Sequence, residues 1–145
     1  MRKPWVVAFS LFMLLTAAAS AQAQRMSVKT DIANIRSGPN TNDPVIWQVE
    51  MYHPLNVIQK QGDWYLFEDF EGDRGWIHQS LLSDIETVIV KKDNCNVRSG
   101  PGTGNDIRFT VDKGVPFKVI EKQGQWLHVV HADGDKGWIH RSLVW

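Results

Sequence analysis

Few residues of this chain could carry out chemistry, and their spacing limits what each can do. Cys95 is the single cysteine, so a nucleophilic role needs a dedicated base and a third group to orient that base. His128, His131 and His140 follow it in the chain and are the candidate bases. A lone cysteine forms no intrachain disulfide, which leaves a free thiol, an intermolecular bridge or a small core side chain, the last being the expectation. His78 and His140 each close a Gly-Trp-Ile-His segment, a recurrence that raises metal binding or proton transfer. One histidine per segment, with no carboxylate or cysteine at ligand spacing, is too few for a closed zinc site. Only a particular packing of the two segments would let the histidines share an ion. Turn capping is the expected role, and neither metal nor cofactor is predicted. The run Glu68-Asp69-Phe70-Glu71-Gly72-Asp73 lacks the alternating oxygen ligands and distal Glu of a calcium loop and reads as a solvated hairpin tip. There is no phosphate-cradling loop, dinucleotide fingerprint or paired-carboxylate spacing.

What remains is binding chemistry. Trp64 and Trp126 each follow a Gln-Gly-x turn, where an indole can stack on a sugar face or a peptide. Arg36 and Arg98 stand in Asn-x-Arg-Ser-Gly-Pro segments. A guanidinium there can take a peptide carboxylate bidentately, or it can hold loop carbonyls or an acidic residue across the fold. The following Gly-Pro turn favours the structural alternative. Asn34 and Asn96 are expected to form turns by bonding their own backbone. The candidate ligand-binding set is thus Trp64, Trp126, Asn34, Arg36, Asn96 and Arg98, with no catalytic residue. Trp76 and Trp138 are expected in the core, as are Trp47 and Phe109.

The elements that position these residues come from an internal repeat. A shift of 62 residues lays the chain on itself without gaps, with about 25 identities in the 58 positions from Met26 to Ser83, far more self-similarity than chance allows. The period is long for a solenoid unit, so each copy reads as a small domain. Within a copy, Val45–Val49, Leu55–Ile58, Trp64–Phe67 and Gly75–His78 are short runs rich in β-branched and aromatic residues, separated by Ser-Gly-Pro-Asn, Gln-Gly-Asp and Glu-Gly-Asp turns. In the second copy Ala132-Asp133-Gly134-Asp135 predicts a tight hairpin, because Asp-Gly tolerates positive φ. No window beyond the N-terminal segment has a helical period. The fold class is all-β, as two small, strongly bent barrels. The predicted domains are residues 26–83 and 88–145, joined by a short connector, 84–87, without Gly or Pro. That connector predicts copies that pack or sit stiffly.

These residues resemble the bacterial SH3 (SH3b) family. The Asn-x-Arg-Ser-Gly-Pro block, the Gly-x-Trp ahead of a strand and the Gly-Trp-Ile-His-x-Ser-Leu close each occur twice, in order and at matching distances. The last block also looks like the end of eukaryotic SH3 domains, where a strand runs into a 3₁₀ turn. There the family has Pro at the position of His78 and His140, and a ligand-contacting Tyr at that of Leu81 and Leu143. The Trp corresponding to Trp64 and Trp126 lines the ligand groove in those domains. With the other polyproline-binding aromatics largely missing, PxxP recognition does not carry over. The bacterial resemblance implies an exported, non-catalytic module whose usual proposed ligand is peptidoglycan. Papain-like wall peptidases carry such modules beside a separate catalytic domain, for which no residues remain here.

The N-terminus predicts export. Arg2 and Lys3 precede an apolar run from Trp5 to Leu15, about 11 residues, the length of a signal h-region and short of the ~20 that span a bilayer. Ala-x-Ala sites end at Ala21 and Ala23, so residues 1–23 read as a cleaved signal peptide, with no cysteine for lipid anchoring. The 145 residues carry 16 basic and 16 acidic side chains, and loss of Arg2 and Lys3 leaves an acidic surplus of two. That balance argues against nucleic acid and against a polybasic membrane patch. The expected protein is periplasmic or otherwise in the cell envelope, free of a membrane anchor. Its leading function is recognition of peptidoglycan, by peptide stem or glycan. The alternatives are a periplasmic protein–protein adaptor binding a partner's extended segment and, remotely, a Cys95-dependent enzyme.

Overall fold

The computed structural model describes residues 23–145; the predicted signal peptide, apart from its last residue Ala23, lies outside the described residues. The chain is all-β. In the first copy β1 (Gln24–Val28), β2 (Ile32–Arg36), β3 (Val45–Glu50), β4 (Pro54–Gln61), β5 (Trp64–Glu68), β6 (Arg74–His78) and β7 (Leu82–Ser83) form a sheet in the order β3-β2-β6-β5-β4-β1-β7. In the second, β8 (Thr87–Ile89), β9 (Cys95–Arg98), β10 (Ile107–Val111), β11 (Pro116–Gln123), β12 (Trp126–Val130) and β13 (Lys136–His140) follow the order β10-β9-β13-β12-β11-β8. One 3₁₀ turn, Gln79–Leu81 or Arg141–Leu143, follows the last long strand of each copy.

The long strands β4 and β11 must bend to close a sheet this small. Each carries a register shift, between Val57 and Gln59 and between Val119 and Glu121, positions 62 residues apart. An extra residue on one strand turns its direction and sharpens the local twist. The hairpins after these strands turn on Gly62 and Gly124, at φ 59° and 56°, where a side chain would be strained.

Alternation then sorts the side chains. Ala33 and Ile35 of β2, Val57 of β4, Phe67 of β5 and Ile77 of β6 meet in one buried cluster. Val97, Leu127, Val129 and Ile139 meet with Phe117 in the other. Trp47 packs on the first core with its ring edge-on to Phe67, centroids 6.1 Å apart, and Phe109 packs on the second. Gly75 lets β6 approach β2, because a Cβ there would stand 2.3 Å from Ile35 Cγ2. Cys95, 4% exposed, fills the core place that Ala33 holds in the first copy.

Two expectations change. Asn34 and Asn96 lie within β2 and β9 rather than in turns, and Asn34 Oδ1 accepts a hydrogen bond from Gln48 Nε2 at 2.7 Å. Trp76 lies on the outer face, half-buried, because its neighbours Gly75 and Ile77 take the inner one. Trp138 is buried as expected, 8% exposed, and the His128 ring stacks on it at 4.7 Å and 7°.

The copies pack against each other. Arg25 Nη2 donates to the main-chain oxygens of Thr87 at 3.1 Å and Trp145 at 2.9 Å, and Ser27 Oγ holds the connector by donating to Ile85 O at 3.1 Å. Lys113–Glu71 at 3.4 Å adds an ion pair between copies, and His131 Nε2 lies 3.6 Å from Glu50 Oε1.

Candidate functional site

The candidate residues of each copy gather in one groove. In the first copy Asn34 and Arg36 come from β2, Trp64 opens β5, His78 ends β6 and Leu81 stands in the 3₁₀ turn. They line a groove of about 300 Å³. In the second, Asn96, Arg98, Trp126, His140 and Leu143 line one of about 270 Å³. Each pair of residues is 62 positions apart, so the same groove is built twice. Long-range pairing brings its parts together: Trp64 lies opposite His78 across β5 and β6, and Arg36 lies opposite Trp76 across β2 and β6.

The arginines are half-buried and partly committed. Arg36 Nη1 donates to Asp43 O at 3.0 Å. Arg98 Nη1 donates to Thr103 O and Asn105 O, both at 3.0 Å. They pin the loop after the Gly-Pro turn, the structural role raised from the sequence, while still lining the groove. Gly38 and Gly100 leave room in those loops for the Asp43 carboxylate and the Asn105 amide, which an added Cβ would approach to 2.5 Å and 2.8 Å and push aside.

The histidines cap, as expected. His78 Nδ1 accepts from Ser80 N at 3.2 Å and lies 2.7 Å from Ser80 Oγ; His140 does the same with Ser142, at 3.2 and 2.8 Å. A ring nitrogen that accepts from a backbone N–H carries no proton, so the neutral imidazole holds its proton on Nε2. The histidines are also groove residues, which the sequence reading did not include. Each stands edge-on to the groove tryptophan, with centroids 5.2 Å apart in both copies and interplanar angles of 89° and 86°. The signal for this was available: Trp and His recur together at a constant 14-residue spacing.

Cys95 borders the second groove, yet its Sγ donates to Lys92 O at 3.2 Å and burial raises its pKa. A thiol held protonated is a poor nucleophile. The candidate bases are otherwise engaged: His128 on Trp138, His131 with Asp133 at 3.0 Å, His140 in its cap. Among the described residues no group of three or more His, Cys, Asp or Glu could hold a metal ion. The acidic run forms the β5–β6 hairpin tip, where Asp69 Oδ1 accepts from the backbone N–H groups of Glu71 and Asp73 at 3.0 Å each.

A larger cleft, about 710 Å³, lies where the copies meet, between Trp47, Glu50, His53 and Phe70 of the first and Gly114 of the second. His53 is buried there with Nε2 unpartnered among the described residues, and burial lowers its pKa to about 4. Two of the cleft's carboxylates, Glu50 and Glu71, already face His131 and Lys113. No helix of the described residues is long and apolar enough to cross a membrane.

A family model described as the bacterial SH3 domain matches residues 29–84 and again 91–145. The chain is 24% identical over 146 residues to a putative N-acetylmuramoyl-L-alanine amidase, YrvJ, of Bacillus subtilis (strain 168), covering 93% of this chain and 28% of that protein. It is 37% identical over 60 residues to a probable cell wall amidase, LytH, of Staphylococcus epidermidis, covering 40% of this chain and 21% of that one. The chain thus spans less than a third of either relative. Among solved structures, NlpC1 from Trichomonas vaginalis is similar at a TM-score of 0.40 and 14% identity, over 92% of this chain and 50% of that one. An NlpC/P60 family protein from Bacillus cereus is similar at 0.40 and 14%, over 83% and 55%.

Proposed function

We propose that this chain, which belongs to the bacterial SH3 domain family through two tandem copies, is an exported module that binds cell-wall peptidoglycan and performs no catalysis. The observation that carries the reading is the duplication of one groove, with Trp, Arg, Asn, His and Leu in the same places in both copies. Residues 26–83 and 88–145 act as the two domains and residues 84–87 as their connector. Trp64 and Trp126 supply a flat apolar face for a sugar ring or peptide backbone. The arginines, asparagines and the Nε2–H of the histidines supply polar contacts along it. Two grooves on one chain raise overall retention on a polymer that repeats its ligand, because the second contact forms at high effective concentration.

The similarity to proteins named as cell wall amidases lends support, since the shared region is a minor part of their length and a bacterial SH3 region in this one. In that reading a separate part of such proteins cuts the wall, while the shared region holds it.

Co-sedimentation with purified, protein-free sacculi tests the proposal. Saturable pelleting of the wild type, lost in folded Trp64→Ala, Trp126→Ala protein, is the expected result. A wild type that stays in the supernatant at physiological salt overturns it and turns the search to an envelope protein partner.

A further inference from the structure

Each groove holds a guanidinium whose donors are only partly used. Loop carbonyls take Nη1 of Arg36 and of Arg98, and among the described residues Nη2 and Nε of both have no partner. No carboxylate of the described residues lies within ion-pair distance of either arginine. The first groove is lined by no Asp, Glu or Lys, and in the second Lys92 and Asp93 offset each other. The side chains lining each groove therefore sum to one positive charge, although the chain's charge is balanced overall.

The remaining polar groups point the same way. The cap fixes the proton of His78 and His140 on Nε2, making each an N–H donor. Neither that nitrogen nor the indole N–H of Trp64 or Trp126 has a partner among the described residues. The groove is thus rich in donors around a cation without a counter-charge, beside the apolar Trp and Leu side chains. Such a surface is complementary to an anion that accepts several hydrogen bonds and carries an aliphatic stem. The loop carbonyls that hold Nη1 also pre-orient the free edge of the guanidinium, so less freedom is lost when it is engaged.

We propose that each groove recognises a carboxylate of a wall peptide, held by two parallel N–H···O bonds from the Nη2 and Nε edge of Arg36 or Arg98. Fork geometry and charge make this the strongest contact that the groove can offer. The inference rests on the peptidoglycan reading and refines it from polymer to chemical group: the peptide stem rather than the glycan.

The test titrates the protein with a synthetic wall tetrapeptide ending in D-alanine, once with free carboxylates and once with all of them converted to amides. Tighter binding of the free acid by about 10-fold is expected, as befits a bidentate charge-assisted pair, and the difference shrinks as salt is raised. Arg36→Gln, Arg98→Gln protein should lose that preference. If this variant does not fold, the acid–amide comparison on the wild type still decides. Equal binding of the two peptides, or binding of neither, overturns the carboxylate assignment. Retention on sacculi measured in parallel tells whether the wall reading falls with it. An all-L peptide of the same length with free carboxylates that bound equally well would overturn the assignment to wall peptide.

Discussion

The Arg25 guanidinium lies 4.2 Å above the centroid of the Trp145 ring, joining the first strand of one barrel to the last residue of the other. The contact spans 120 positions of sequence, and the same side chain donates to the main-chain oxygens of Trp145 and Thr87. Arg25 is in this way a polar link between the two barrels that carry the grooves.

Replacing it should loosen their packing. Arg25→Ala is expected to cost about 1–2 kcal/mol, from a half-exposed cation–π contact and two hydrogen bonds. Arg25→Lys should recover only part, because an ammonium lacks the planar fork. Thermal melts give the stability, and amide shifts of Thr87 and Trp145 report the contact. Unchanged shifts in Arg25→Ala protein would rule the link out.

The two grooves should contribute together. Trp64→Ala and Trp126→Ala, each alone, are expected to weaken retention on sacculi, and the pair to lose it by a larger factor than either. Both side chains are half-exposed, so the melting temperature should move little. Full retention by one single variant and none by the other would assign binding to one groove.

His53 should make stability depend on pH. Its folded pKa of about 4 lies below the unfolded value near 6.5, so the unfolded chain binds the extra proton between the two. Stability is fully present above about pH 6.5 and falls as pH drops toward 4, by roughly 3 kcal/mol at most. His53→Val, which installs the residue found at the matching position, Val115, should flatten that segment of the curve. Urea melts at pH 7 and pH 4.5 on both proteins provide the check.

Gly75 and Gly137 should resist substitution. A Cβ at Gly137 would stand 2.7 Å from Val97 Cγ1 and 2.8 Å from Arg98 O, and forcing such contacts costs about 1–3 kcal/mol. Gly75→Ala and Gly137→Ala should both lower the melting temperature, whereas Gly104→Ala, with nothing within 4 Å, should leave it nearly unchanged. Equal melts for all three would mean that β6 and β2, and β13 and β9, are not so closely apposed.

The local parts of the fold are legible in the sequence. The runs at Val45–Val49, Leu55–Ile58, Trp64–Phe67 and Gly75–His78 sit within β3 to β6, because hydrophobic runs and Gly turns act over a few residues. Strand β1 carries no such signal: five residues with no clear alternation gain their place only by pairing with β4 and β7. The Ser-Gly-Pro near Asn34 suggests that this asparagine belongs to a turn, yet the turn begins only after Arg36.

By itself the sequence determined the duplication, the all-β class and the set of Trp, Asn and Arg that recur at 62 residues, since identity and period are properties of a linear string. Period-two alternation says that Trp76 and Ile77 face opposite ways; it does not say which of them faces in. Closure of the barrel decided that, putting Ile77 in the core and leaving Trp76 outside. The same closure set His78 beside Trp64 and left one edge of Arg36 free. The packing of one barrel on the other put Arg25 on Trp145. These contacts depend on where distant strands end up in space, which only the folded chain specifies.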